Sequence, residues 1–187
     1  MFAEIFIIAI ALFSTLFALY LVVLIVYFSS CFFVWPPSVP SNRKSRKVIL
    51  EMIAKHHKGD DNFKVADMGS GYGHLVFAIA RRFKKADVTG VELLWLPFWF
   101  SKLVSQIFKN VKILKGDIYK HDFSQYDVFV FFFRKDHGFD EKLREGIKKR
   151  TVVISSTFPL KTFEPVETIN LKYLVGSRNV YCYVIGE

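Results

Sequence analysis

The stretch Val65-Ala66-Asp67-Met68-Gly69-Ser70-Gly71-Tyr72-Gly73 ends a short apolar run in an acid and follows it with glycines at three alternate positions. Leu75, Val76, Ala78 and Ile79 then recur at helical spacing. This order reads as strand, tight turn and helix start. Glycine lacks Cβ and tolerates positive φ, so such a turn brings backbone N–H groups close to a ligand and places that ligand at the positive end of a helix. Two further acids stand where later strands should end, Glu92 after Val88-Thr89-Gly90-Val91 and Asp117 after Val111–Leu114 and Gly116. In open α/β sheets, ligands bind beyond the carboxyl ends of the strands. Three carboxylates at three successive strand ends, one beside a glycine turn, offer acceptors to a ligand that carries donors. The glycine spacing is not the G-x-G-x-x-G of dinucleotide sites.

The D-x-G-x-G-x-G turn resembles the first motif of the Rossmann-like methyltransferases that use S-adenosylmethionine. That resemblance implies a ligand whose amino-acid end presents an ammonium to Asp67 and runs along Gly69, Ser70, Gly71, Tyr72 and Gly73. A carboxylate at Glu92 can accept both ribose hydroxyls of an adenosine. One at Asp117 can accept from the adenine amino group, with Ile118 or Tyr119 against the ring.

The elements that must hold these residues alternate. The apolar periodicity predicts a helix over Val48 to His57, with Val48, Ile49, Met52 and Ile53 on one side, and a turn at 59–62. A first strand runs from Phe63 to Asp67 and a helix from Gly73 to Phe83. A second strand runs from Asp87 to Glu92, and a second helix from Leu96 to Phe108 with Pro97 in its first turn. Strands follow over Val111 to Leu114 and Asp127 to Phe133, the latter apolar from Val128 on as a strand buried on both faces should be. A helix over Phe139 to Lys149 and a strand over Thr151 to Ser155 complete the alternation. Strands alternating with helices imply a parallel sheet covered on both sides. Val166 to Tyr173 and Arg178 to Ile185 then read as a hairpin turning at Gly176-Ser177, which adds antiparallel strands at a sheet edge. The fold class is α/β, a Rossmann-like sheet that is mostly parallel with a C-terminal antiparallel hairpin.

Ahead of this domain, Ile5 to Trp35 holds no charged residue. A membrane-spanning helix needs about 20 apolar residues, and this run is apolar on all faces and longer than a buried core helix. A cleaved signal peptide wants positive charge before the apolar run, whereas the chain opens Met1-Phe2-Ala3-Glu4. The reading is an uncleaved anchor over residues 1–35, with Trp35 at the interface. A Pro-rich and basic linker over 36–47 and a catalytic domain over 48–187 follow. Pro36, Pro37 and Pro40 stop the helix. The first basic residues, Arg43, Lys44, Arg46 and Lys47, follow directly, and positive charge stays on the cytoplasmic side. A single-pass protein is expected, its domain facing the cytoplasm or the mitochondrial matrix.

All 26 Lys and Arg follow the anchor, with every one of the 17 acids except Glu4, so that part carries a formal charge of +10. Such a charge suits anionic lipid headgroups, a nucleic acid or solubility alone, and the tether favours the first. No Asn/Asp-Pro-Pro-Tyr/Phe element follows the fourth strand, which argues against nucleic acid. The two cysteines, Cys31 and Cys182, form no disulfide framework, and the histidines, His56-His57 included, lack ligand spacing, so no metal is expected.

The anchor, the run Pro36-Pro37-Ser38-Val39-Pro40, the motifs Asp67-Met68-Gly69-Ser70-Gly71, Val91-Glu92-Leu93, Gly116-Asp117 and Tyr126-Asp127-Val128, and the closing Ser155-Ser156-Thr157-Phe158-Pro159 are together similar to one family. It is that of the small membrane-anchored protein-lysine methyltransferases of mitochondria and their prokaryotic relatives, whose mitochondrial members modify the adenine nucleotide translocase or the ATP synthase c subunit. The resemblance implies S-adenosylmethionine as cofactor and methylation of a lysine on a membrane protein. Methyl transfer from a sulfonium needs an aligned nucleophile and exclusion of water, and aromatic walls can hold an amine. Phe133 and Phe158, at or after strand ends, are the candidates for that wall. Trp95, Phe98, Trp99 and Phe132 read as core. No side chain stands out as a general base, although Asp136 and His137 lie after strand four. Two other functions remain open at this point, methylation of a lipid-soluble quinone precursor or aminolipid, and a silent membrane-bound adaptor.

Overall fold

The computed structural model describes residues 2–33, 42–57, 62–132, 139–148, 150–174 and 176–186, with side chains from 29 to 33 set aside. The predicted Trp35 interface anchor, the prolines of the linker, Asp136, His137 and Phe133 lie outside the described residues. The chain forms two units, residues 1–37 and 38–187.

The first unit is α1, Phe2–Phe33. Its window Phe2–Phe28 is long and apolar enough to cross a membrane. At 1.5 Å per residue, 32 residues give about 48 Å, more than the ~30 Å hydrocarbon core of a bilayer. Ser14 and Thr15 hand their hydroxyls back to the Ala11 carbonyl, at 2.9 and 2.7 Å, which leaves no bare donor on the apolar surface at that turn.

The second unit opens with α2, Arg43–His56. It starts five residues before the predicted Val48, because Asn42 caps it: its side chain accepts from Ser45 N–H at 2.9 Å. Arg43, Lys44, Arg46 and Lys47 therefore belong to the helix rather than to the linker. The strands are β1 Lys64–Met68, β2 Asp87–Glu92, β3 Val111–Lys115, β4 Val128–Phe131, β5 Thr151–Ser156, β6 Glu167–Lys172 and β7 Ser177–Ile185. Between them lie α3 His74–Arg82, α4 Trp95–Ser105, a 3₁₀ turn at Ile118–Lys120 and α5 Phe139–Gly146. Each predicted helix and strand is present, with ends that match or shift by up to five residues, most of the predicted turn at 59–62 lies outside the described residues, and the 3₁₀ turn is the addition.

The strands form one sheet in the order β3-β2-β1-β4-β5-β7-β6. The first five are parallel, while β7 runs antiparallel to β5 and to β6. The hairpin thus joins the sheet through its second strand, which slots between β5 and β6.

Two cores cover the sheet. One face packs Val65, Val88, Val128, Val130, Val152, Ile154, Val180 and Cys182 against Ile49, Met52 and Ile53 of α2 and Val76, Ile79 and Phe83 of α3 and its end. The other places Phe129, Phe131, Val153 and Tyr183 beneath α5 through Phe139 and Leu143. Alternate residues of β4 go to opposite faces, as the period of a strand requires. Aromatic rings dominate this second face, with Phe123–Phe129 and Phe131–Phe139 meeting edge to face at 5.2 Å, a geometry that the ring quadrupole favours.

Candidate active site

At the carboxyl end of β1 the chain must turn sharply into α3. Gly69, Gly71 and Gly73 take φ of 81°, 54° and 80°, a region that L side chains enter at a cost. Gly73 has a second reason to be glycine, since a Cβ there would lie 2.6 Å from the Phe77 ring. The turn is laid on β2: the Gly69 and Ser70 N–H groups both donate to the Val91 carbonyl, at 2.9 and 3.0 Å. Gly73 N–H closes it on the Ser70 carbonyl at 2.9 Å.

Glu92 is the junction of the site. Its Oε2 accepts from Gly71 N–H at 2.6 Å and its Oε1 from Leu94 N–H at 2.7 Å. Its backbone carbonyl accepts from Gly116 N–H at 3.1 Å, which draws in the turn that carries Asp117. The side chain is only 3% exposed. Both donors are backbone N–H groups at the short distances of charge-assisted hydrogen bonds.

Asp67 pairs in register with Gly90 of β2 and Val130 of β4, so it sits in the middle of the sheet. It is buried. Desolvation first, and the charge of Glu92 second, push its pKa up to about 7. A carboxyl so placed favours the arrival of a cation. Ser70 is also buried, and its Oγ has no hydrogen-bond partner among the described residues. Gly90 beneath it leaves no room for a side chain, since a Cβ would lie 2.9 Å from Ser70 Oγ and 2.9 Å from Ile113 Cδ1.

The other predicted residues are placed as follows. Asp117 is half-buried and caps the 3₁₀ turn, its Oδ1 accepting from Tyr119 N–H at 2.9 Å. Ile118 and Tyr119 pack against the aromatic core, Tyr119 edge-on to Phe139 at 5.8 Å. Tyr72 leans away from the turn onto Phe100, ring centroids 5.5 Å apart. Phe158 is half-buried after β5, its carbonyl accepting from Ser155 Oγ. Asp67, the glycine turn, Glu92 and Gly116-Asp117 are thus brought together. Trp95 and Trp99 are not core as predicted, for they are 60% and 56% exposed.

One residue of the closing motif received no role of its own from the sequence. Thr157, directly after β5, has a φ of 81° and a buried Oγ1 without a partner among the described residues. A non-glycine residue there is strained, and strain of this kind gathers at functional sites.

The donor set fits the group that the sequence motif implies. Three positive-φ glycines let backbone approach a ligand, a buried neutral-to-anionic Asp67 waits for an ammonium, and a second acid stands at the next strand end.

The comparisons with known proteins agree. The family model described as the ANTKMT methyltransferase domain matches residues 67–167. A protein-lysine N-methyltransferase of Saccharolobus islandicus (strain REY15A) is 28% identical over 158 residues, covering 81% of this chain and 96% of that protein. Among solved structures, an RNA methyltransferase from Salinibacter ruber in complex with S-adenosyl-L-homocysteine superposes with a TM-score of 0.65 at 22% identity, over 80% of this chain and 95% of that one. A precorrin-6y C5,15-methyltransferase from Geobacter metallireducens GS-15 gives 0.61 at 12% identity, over 82% and 94%. These two likenesses concern the fold.

Proposed function

Because the chain belongs to the ANTKMT methyltransferase domain family and is an S-adenosylmethionine-dependent methyltransferase, we propose that it is a membrane-anchored protein-lysine N-methyltransferase acting on a membrane-associated protein. The observation that carries the reading is the Glu92 junction, which gathers the Asp67, glycine and Asp117 turns inside the segment that the family model covers. The Saccharolobus islandicus relative supports the lysine, and α1 supports the anchor.

S-adenosylmethionine, when bound, supplies a methyl group on a sulfonium. The chain's own residues bind and orient. Asp67 would take the ammonium of the amino-acid end, the side-chain-free backbone of the glycine turn would lie along it, and Glu92 and Asp117 would accept from the ribose and the adenine. Ile118 flanks the ring. A lysine acceptor must reach the site as a neutral amine, and an apolar, water-excluding approach lowers its pKa. Phe158, beside the strained Thr157, forms part of that approach. The domain sits on the cytoplasmic or matrix side of its membrane, since the basic residues that follow α1 are retained there.

The test is transfer of labelled methyl from S-adenosylmethionine into a membrane fraction that lacks the endogenous enzyme, with Asp67→Ala as control. Label in a protease-sensitive band whose mass places the methyl on lysine is the expected result. Label in the organic extract overturns the lysine reading in favour of a quinone precursor or aminolipid. No transfer with either chain returns the adaptor.

A further inference from the structure

Helix α4 carries a second apolar face that the domain does not cover. Its buried residues are Pro97, Ser101 and Ser105, with Ser101 at 0% exposure. Phe98 and Val104 pack against the core from the flanks of the helix, but Leu96, Trp99, Phe100 and Leu103 point out, with Ile107 just beyond its end at 76%. Spacing of three, four and four along 96, 99, 103 and 107 keeps them on one face of a 3.6-residue helix. The inward serines do not want solvent, because each donates back to the helix, Ser101 to the Phe98 carbonyl at 3.0 Å and Ser105 to that of Lys102 at 2.7 Å. Exposed apolar patches of this kind mark an interaction surface.

The charge around the patch selects the partner. From Leu93 to Lys115 there is no acid, while Lys102, Lys109, Lys112 and Lys115 are present. Lys115 lies over the Trp95 ring at 4.9 Å and donates to the Leu93 carbonyl at 2.8 Å. Trp95 and Trp99 stack at 6.0 Å. Tryptophan beside lysine at the rim of an apolar face is the composition of a surface that lies in a lipid headgroup layer. Anionic headgroups attract the lysines.

The entry point of the chain agrees. Asn42 and Ser45, at the start of α2, meet Tyr173 at the hairpin turn, Ser45 Oγ and Tyr173 Oη lying 3.0 Å apart. That turn precedes the start of β7, which pairs with the carboxyl end of β5. The chain therefore enters the domain at the edge that carries the site, and α4 also starts there, three residues after Glu92. Only residues 34–41 separate α1 from Asn42.

We propose that the outer face of α4 lies in the headgroup region of an anionic bilayer and seats the cofactor edge of the domain against the membrane. The inference rests on the reading of α1 as an anchor, and it goes further by assigning a second, peripheral contact. Phe100 of this face holds Tyr72 of the glycine turn, so the seat reaches the site directly, and the substrate class it favours is a lysine close to the membrane surface.

The test uses the full chain with Trp35→Phe, so that only Trp95 and Trp99 emit. It is reconstituted into phosphatidylcholine vesicles with and without phosphatidylserine. Flotation that resists carbonate extraction reports α1; its failure overturns the anchor reading, and with it the basis of the seat. For floating protein, the expected result is blue-shifted emission that lipid brominated near the headgroup quenches and acrylamide reaches poorly. Lys102→Glu and Leu103→Glu are expected to restore acrylamide access on phosphatidylserine vesicles while flotation and circular dichroism stay unchanged. Emission untouched by brominated lipid overturns the proposal. If acrylamide then quenches freely the face is solvated, and if it does not a protein partner or second copy covers it.

Discussion

The N–H of Gly71 donates to Oε2 of Glu92 at 2.6 Å while the N–H of Leu94 donates to Oε1 at 2.7 Å. A carboxylate accepts on both oxygens, whereas a carboxamide accepts on one and turns an NH₂ toward the other N–H donor. Glu92→Gln therefore opposes two donors. It is expected to destabilise the protein by roughly 1–3 kcal/mol and to weaken cofactor affinity, read by thermal denaturation and titration calorimetry. Unchanged values in both would refute the junction role.

Asp67→Asn keeps the shape of the side chain and removes its charge. A hydrogen bond between charged groups contributes about 1.5–3 kcal/mol, so S-adenosylmethionine is expected to bind roughly 10- to 100-fold more weakly. Equal affinity in wild type and variant would move the ammonium elsewhere.

The same residue sets a pH dependence. With its pKa raised to about 7, Asp67 is protonated in acid and must shed that proton to accept an ammonium. Cofactor affinity is expected to rise from pH 6 and level off above 7. At pH 6 the calorimetric heat should change with the ionisation enthalpy of the buffer, and an identical heat in all buffers would exclude proton release.

Stability without cofactor runs the other way. In the unfolded chain Asp67 ionises near 3.8, whereas in the fold it holds its proton to about 7. Between those values the folded state binds more protons, so this group's contribution is full below pH 4 and is lost as pH rises to 7, at about 1.4 kcal/mol per unit. Other carboxylates oppose the trend, so the difference between wild type and Asp67→Asn carries the signal. The variant is expected to be the more stable at pH 8 and to show no such advantage at pH 4, by denaturant midpoint.

Thr157→Gly should separate strain from function. Releasing a non-glycine residue from φ 81° removes on the order of 1–2 kcal/mol of strain, offset in part by the added freedom of the unfolded glycine chain. The melting temperature is expected to hold or rise while methyl transfer falls. A parallel loss of both would make Thr157 merely structural.

Much of the fold was legible because its signals are local. A continuous apolar run marks β4, whose residues feed two cores, and a 3.6-residue stripe marks Ile49, Met52 and Ile53. The Asp67 turn was readable because its three glycines answer to the backbone itself, each taking positive φ. The start of α2 was missed because a cap is a single side-chain bond, from Asn42 to Ser45, and alters no periodicity.

What the sequence by itself determined was therefore the succession of elements and the acids at the strand ends, for these depend on residues a few positions apart. The tertiary structure alone decided that β7 lies between β5 and β6, that Glu92 also holds the Gly71 and Leu94 N–H groups, and that burial beside Glu92 lifts Asp67 to about 7. It also decided which way α4 faces. An aromatic stripe looks the same in a core and on a surface, and only the sheet beneath it, which takes in Ser101 and leaves Trp99 outside, distinguishes the two.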